Sequence, residues 1–208
     1  MNVLAAYAEW SHTYDEDRNL TRDLDEEVTR RTFAGKRYKT ILEIGCGTGK
    51  NTTLLAQIAD RVEAIDFSEA MIERARRRSP AGRVKFSIAD LTKHWPVDDS
   101  SINLISCNLV LEHIENLPFI FAEAARVLAK DGHLFVSELH PFRQYQGTQA
   151  RFQRNAETHI IDAFVHDITD FLEAARNNNL TLELIKEWRH EEDKDKPPRL
   201  ISFLFQKP

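Results

Sequence analysis

Three of the seven glycines in this 208-residue chain fall within five positions, at Gly45, Gly47 and Gly49. An apolar run (41–45) precedes them and a helix-like stretch (51–59) follows. A strand–loop–helix of this kind lets backbone approach a ligand closely at a helix N-terminus. In open α/β sheets, ligands bind at the carboxyl ends of the strands. A purely structural turn is the plain alternative. A phosphate-cradling loop requires Gly, four residues, then Gly-Lys-Ser/Thr. Gly49-Lys50 fits its end, but Ile44 and Asn51 stand where glycine and a hydroxyl are needed, so that reading fails. A dinucleotide loop, G-x-G-x-x-G, is weakened because Lys50 occupies the last glycine position. Glu43, two residues before Gly45, is awkward beside a pyrophosphate and suited to a cationic ligand.

Four histidines are candidate bases: His113, His140, His159 and His166. His140 directly follows an apolar run (133–139), so its side chain is expected to face a pocket, although for any single one of the four a structural role is the simpler expectation. His159 and His166 lie seven apart with no third ligand at metal-site spacing, so no metal is assigned. Cys46 and Cys107 read as two small buried thiols rather than a redox pair.

These groups need a frame. Leu20, Leu24 and Val28 recur every four residues within an acidic N-terminal segment (1–37), giving one apolar stripe on an otherwise charged helix that Gly35 ends. Short apolar strands are expected at 41–45, 62–67, 84–90, 102–108 and 133–139. Ser68 caps a helix running to Pro80, and Asn116 and Pro118 open another that Gly132 ends. Alternating strands and helices with nearly continuous apolar strands predict an α/β fold whose parallel sheet is covered on both faces. The rhythm breaks over 140–165, an expected substrate cap, where Phe142, Tyr145, Phe152 and Phe164 mix with Arg143, Arg151 and Arg154. That mixture suits a small aromatic or carboxylate-bearing metabolite, and equally a lid packed on the sheet edge. A helix (166–178) and two strands close the chain. The charged run HEEDKDKPP between those strands reads as a solvated hairpin loop.

The segment Leu42-Glu43-Ile44-Gly45-Cys46-Gly47-Thr48-Gly49 resembles the first motif of the class I S-adenosylmethionine-dependent methyltransferases, in the group that includes the ubiquinone and menaquinone biosynthesis enzymes. S-adenosylmethionine carries an ammonium and a sulfonium and no phosphate, in keeping with Glu43. The resemblance implies a Rossmann-like, seven-stranded, mostly parallel sheet with helices on both faces and an antiparallel last strand. It extends over Tyr14 to Glu138 and more loosely over the last two strands, and implies one domain (1–208). By the same resemblance, Asp66 binds both ribose hydroxyls, as one carboxylate can, and Phe67 packs on the adenine. Asp90 faces the adenine amino group between Ala89 and Leu91, Asn108 and Leu109 line the methionine moiety, and His113 sits near the acceptor. Tyr14, with Asp15, folds over the cofactor. Capping of a helix stays open for Asp66, an ordinary turn for Asp90 and a surface position for Tyr14.

The expected chemistry is transfer of a methyl group to a small-molecule acceptor, with His113 or His140 assisting deprotonation. Transfer of another part of the cofactor, such as its aminocarboxypropyl chain, or a non-catalytic regulatory role stays open. Composition narrows the partners: 33 acidic against 28 basic residues leave a net charge of −5 and no basic excess for a nucleic acid. The opening residues carry no basic, apolar leader, and no apolar run reaches the roughly 20 residues of a membrane span, so a cytoplasmic setting is expected.

Overall fold

The structure, a computed structural model, describes residues 3–11, 13–16, 18–79, 82–154 and 157–208. Four parallel pairings build most of a seven-stranded sheet. Strand β1 (Tyr38–Ile44) lies between β2 (Ala59–Asp66) and β4 (Ile102–Asn108), with β3 (Val84–Ile88) outside β2 and β5 (Leu128–Leu139) beside β4. Two further strands complete it, giving the order β3-β2-β1-β4-β5-β9-β8. The last strand, β9 (Leu200–Gln206), runs antiparallel to both β5 and the edge strand β8 (Thr181–Trp188). The strand order reverses between β1 and β4, which is where such sheets open a crevice for ligands.

Side chains along each strand alternate between the two faces. Leu42 and Ile44 of β1 enter one core with Ile105 and Cys107 of β4, under α5 (Leu117–Val127) and α7 (Ile168–Asn177). Ile41 and Leu104 enter the other core, under α2 (Leu20–Thr32) and α3 (Lys50–Ile58). Asn19 accepts hydrogen bonds from the backbone N–H groups of Thr21 and Arg22 at the start of α2. Ser68 does the same for Met71 at the start of α4 (Glu69–Arg78), and Asn116 for Phe119 in α5.

Several boundaries differ from the sequence reading. Helix α2 ends at Thr32, with Gly35 in the left-handed turn beyond it. Helix α5 ends at Val127. Gly132 lies inside β5, where a Cβ would stand 2.9 Å from the Ala129 carbonyl oxygen and 3.0 Å from that of Ile102. Pro80, the expected end of α4, lies outside the described residues, as do the side chains of Phe152 and Arg154.

Residues 140–165 fold into a short helix α6 (Pro141–Tyr145) and a two-stranded hairpin, β6 (Arg151–Arg154) with β7 (Glu157–Ile160). Four-residue strands are too short to show a period in sequence. Helix α1 (Val3–Trp10) meets this insertion in a small separate cluster of Ala6, Trp10 and Ile161. The charged run after β8 is not simply solvated. Asp193 is only 1% exposed, accepts from Arg199 Nε and Nη2 at 2.6 and 2.7 Å, and lies 3.0 Å from Arg143. The guanidinium of Arg199 holds the Asp193 carboxyl below its ordinary range.

Candidate active site

At the carboxyl ends of β1, β2 and β4 a cavity of about 340 Å³ opens under α1. The glycine loop forms one wall. Its first two N–H groups, of Gly45 and Cys46, both donate to the Ile65 carbonyl oxygen at 2.8 and 3.1 Å, tying the loop to β2. Gly45 has φ +69°, and a Cβ there would fall 2.3 Å from Val110 Cγ2. Gly47 also has positive φ, but nothing lies within 4 Å of where its Cβ would be: its bare backbone faces open space. Gly49 lies outside the lining, capping α3 and packed on the backbone of Ala75.

Asp66 ends β2, with one oxygen accepting from Gly47 N–H at 2.9 Å and the other from Ser68 N–H at 2.8 Å. It thus pins both the glycine loop and the turn into α4, and its two oxygens retain acceptor capacity beyond these bonds. Burial raises its carboxyl above the ordinary value. Glu43 projects from β1 onto the α3 face, where Thr52 Oγ1 donates to it. Burial pushes Glu43 up to about 8, countered in part by the Thr52 hydrogen bond.

The same face holds a buried polar layer. Asn108 Nδ2 donates to Asp25 Oδ1 at 2.9 Å and to Thr29 Oγ1 at 3.0 Å, and Ser106 Oγ donates to Asn108 Oδ1 at 2.7 Å. Asn51 Nδ2 donates to the other Asp25 oxygen at 2.8 Å, while Asn51 Oδ1 is buried without a partner among the described residues. Asp25 is 3% exposed, and its carboxyl is raised by burial. Sequence reading had placed it on a charged, solvated face. The available signal was its place beside the stripe residue Leu24, with Thr29 one turn on.

Above the loop, Tyr14 stacks under the Arg22 guanidinium, 4.0 Å from its ring centre, and Asp15 accepts from Thr48 Oγ1 at 2.8 Å, fastening the N-terminal segment to the glycine loop. Phe67 lies edge-on to Tyr7, 6.3 Å between ring centres. Leu91, Leu109 and Asp90 line the cavity, Asp90 at an exposed position where it accepts from Thr92 N–H and Oγ1. Those bonds lower its carboxyl. Ala89 is buried behind the wall, its N–H donated to the Asp66 carbonyl oxygen at 2.9 Å. Cys46 lines the cavity; Cys107 does not, and burial pushes both thiols well up.

The two histidines expected to assist proton transfer separate here. His113 lines the cavity on a 3-10 turn (Leu111–His113), its Nε2 2.8 Å from the Tyr7 hydroxyl and its Nδ1 3.3 Å from the Asp162 carbonyl oxygen. Both contacts are satisfied if Nδ1–H donates to Asp162 and Nε2 accepts from Tyr7. Burial holds its pKa below the usual value, so the ring is neutral near pH 7. His140 does not reach the cavity. Its Nδ1 accepts from Phe142 N–H to cap α6, and its Nε2 lies 3.1 Å from Glu187. The chain turns at the end of β5, and the capping bond holds the ring away from the cavity. His166 lies against the carbonyl oxygens of Leu111 and Ile114, at 3.2 and 2.8 Å, and props the 3-10 turn. Tyr7, which sequence reading missed, is 106 residues from His113 along the chain.

Residues 42–136 match the methyltransferase domain family. A malonyl-[acyl-carrier protein] O-methyltransferase of Halorhodospira halophila is 32% identical over 71% of this chain and 54% of that protein. A demethylmenaquinone methyltransferase of Clavibacter sepedonicus is 32% identical over 65% of this chain and 57% of that protein. Over this central segment the chain is similar to S-adenosylmethionine-dependent methyltransferases. It spans little more than half the length of the curated relatives it matches. The fold agrees. A methyltransferase structure from Mesorhizobium loti superposes with a TM-score of 0.73 at 18% identity, covering 86% of this chain and 96% of that one. The cavity also fits the family's cofactor on its own terms. It presents open glycine backbone at Gly47, buried carboxylates at Glu43 and Asp66, and the unpartnered amide oxygen of Asn51.

Proposed function

We propose that this chain transfers the methyl group of S-adenosylmethionine to a small-molecule acceptor. The observation that carries the proposal is the pairing of bare Gly47 backbone with the buried carboxyl groups of Glu43 and Asp66 in one cavity at the sheet's switch point, where a bound cation favours their ionised forms. The cofactor supplies an activated methyl group on a sulfonium, which leaves as a neutral thioether. The chain has to bind, orient and exclude water. Asp66 accepts hydrogen bonds from the ribose hydroxyls with the lone pairs its backbone contacts leave free. Glu43 and the Asn51 amide oxygen lie toward the cationic end, with Asn108 and Leu109 along the methionine moiety. Phe67, Leu91 and Asp90 surround the adenine, and Tyr14 covers the cofactor. Gly49 and Ala89 act one step back, holding the helix and the loop in place. His113, neutral and accepting from Tyr7, takes a proton through the Tyr7 hydroxyl, which passes its own proton to Nε2 and receives one from the acceptor. His140 is reassigned to capping α6.

Calorimetric titration with S-adenosylmethionine, S-adenosylhomocysteine and NAD tests this, alongside Asp66→Ala. Micromolar binding of the first two, weakened at least about tenfold in the variant, is expected. Binding of NAD alone, or of none of the three, rejects the proposal.

A further inference from the structure

A second cavity, of about 460 Å³, adjoins the first. The two share Tyr7, Tyr14, Arg22 and Leu109 as a common wall. Their electrostatics are opposite. In the first, Asp25, Glu43, Asp66 and Asp90 face Arg22 and Lys50, whereas Arg18, Arg22, Arg151 and Arg199 reach the lining of the second against a single carboxyl, that of Glu112. Burial raises that carboxyl to about 7, so near neutral pH it is only partly ionised and offsets part of one of these positive charges.

Arg199 is the best-held of the four. Asp193 grips its Nε and Nη2, and Thr21 accepts from Nη1 at 2.9 Å. A guanidinium carries five N–H donors, and among the described residues nothing takes the rest of them. Asp193 also serves Arg143, whose other donors go to the Pro197 and Pro198 carbonyl oxygens. One carboxylate therefore faces two guanidiniums, and this wall keeps a net positive charge. Arg151, exposed on β6, also reaches the lining, and Arg18 is tied to Glu192.

Resting on the methyltransferase reading, we infer that the second cavity is the acceptor chamber and that its acceptor carries an anionic group, a carboxylate or a phosphate, seated between Arg199 and Arg151. Fixed guanidinium donors recognise such groups with charge-assisted, often paired, hydrogen bonds. The acidic and basic chambers would also orient the reactants, cationic cofactor on one side and anionic acceptor on the other.

The full chain, saturated with S-adenosylhomocysteine, is titrated with malonate, benzoate and phenyl phosphate, and with malonamide and benzamide as neutral counterparts. The acids are expected to bind at least about tenfold more tightly than the amides, and comparing the carboxylates with phenyl phosphate tells which anion is preferred. Arg151→Gln together with Arg199→Lys should cut acid binding by about tenfold while affinity for S-adenosylhomocysteine holds. Arg151→Gln alone, at an exposed position, should show a smaller loss in the same direction and guards against misfolding of the double variant. Amides binding as tightly as acids, no acid binding at all, or full acid binding in the double variant overturns the inference. If S-adenosylhomocysteine itself does not bind, the methyltransferase reading fails instead. The acid-over-amide preference is then sought in the untreated chain, where its absence overturns the chamber as well.

Discussion

The floor and the cover of the active-site cavity are built to different standards. The floor rests on the hydrogen-bonded ladders of β1, β2 and β4, backed by two large apolar cores. The cover rests on one small cluster (Ala6, Trp10 and Ile161) and a few polar ties, Tyr7 to His113 and Asp15 to Thr48. Stability is not uniform across a fold, and segments with few buried contacts open at low cost. The groups that hold a ligand in a fixed geometry thus lie on the rigid side, and those that admit it on the side that can open.

The contrast can be broken from either side. The largest effect is expected at Gly45. Gly45→Ala forces a Cβ into Val110 from a left-handed backbone, at a cost of about 2–4 kcal/mol from overpacking and strain. Thermal unfolding should show a clear loss of Tm, and cofactor affinity should fall with it. The next effect is a pH dependence set by the floor. Glu43 and Glu138 keep their protons in the fold up to about 8, against 4.5 when unfolded. The unfolded chain then binds fewer protons between those values, so stability falls as pH rises through this window and levels off above it. Denaturant titrations at pH 5 and pH 8.5 should show the loss, and saturating S-adenosylmethionine should reduce it by favouring ionised Glu43.

Substitutions in the cover should behave otherwise. Trp10→Ala removes the largest ring of its cluster. Hydrogen exchange should quicken in α1 and the β6–β7 hairpin while β1 and β4 keep their protection. Equal acceleration in the sheet would mean that the two regions unfold as one unit. Smallest is Tyr7→Phe, which deletes the hydrogen bond to His113 for about 1 kcal/mol. It should shift the pH profile of methyl transfer if Tyr7 relays the proton, and leave it unmoved if the bond only holds α1 down.

The floor was the part legible in the sequence, and the cover was not. Continuous apolar runs mark buried parallel strands because both faces are covered, so β1, β4 and the body of β5 could be placed from residue type alone. The glycine spacing with Glu43 and Asp66 located the cavity for a related reason: few other residues tolerate that backbone. Asp25 escaped because a charged residue on an amphipathic helix looks solvated, and the partners that offset its burial, Asn51 and Asn108 among them, are distant in sequence. The Tyr7–His113 contact and the Asp193 pairing with Arg143 and Arg199 join segments far apart or within a charge run, and no local pattern encodes them. His140 shows the limit of arguing from position along the chain: it follows a strand at the right end of the sheet, but its contacts with the Phe142 N–H and Glu187 occupy both ring nitrogens.

Tyr7, Tyr14 and Arg22 border both cavities at once. The two compartments are therefore not independent: a shift of any one of these three side chains reshapes both at once.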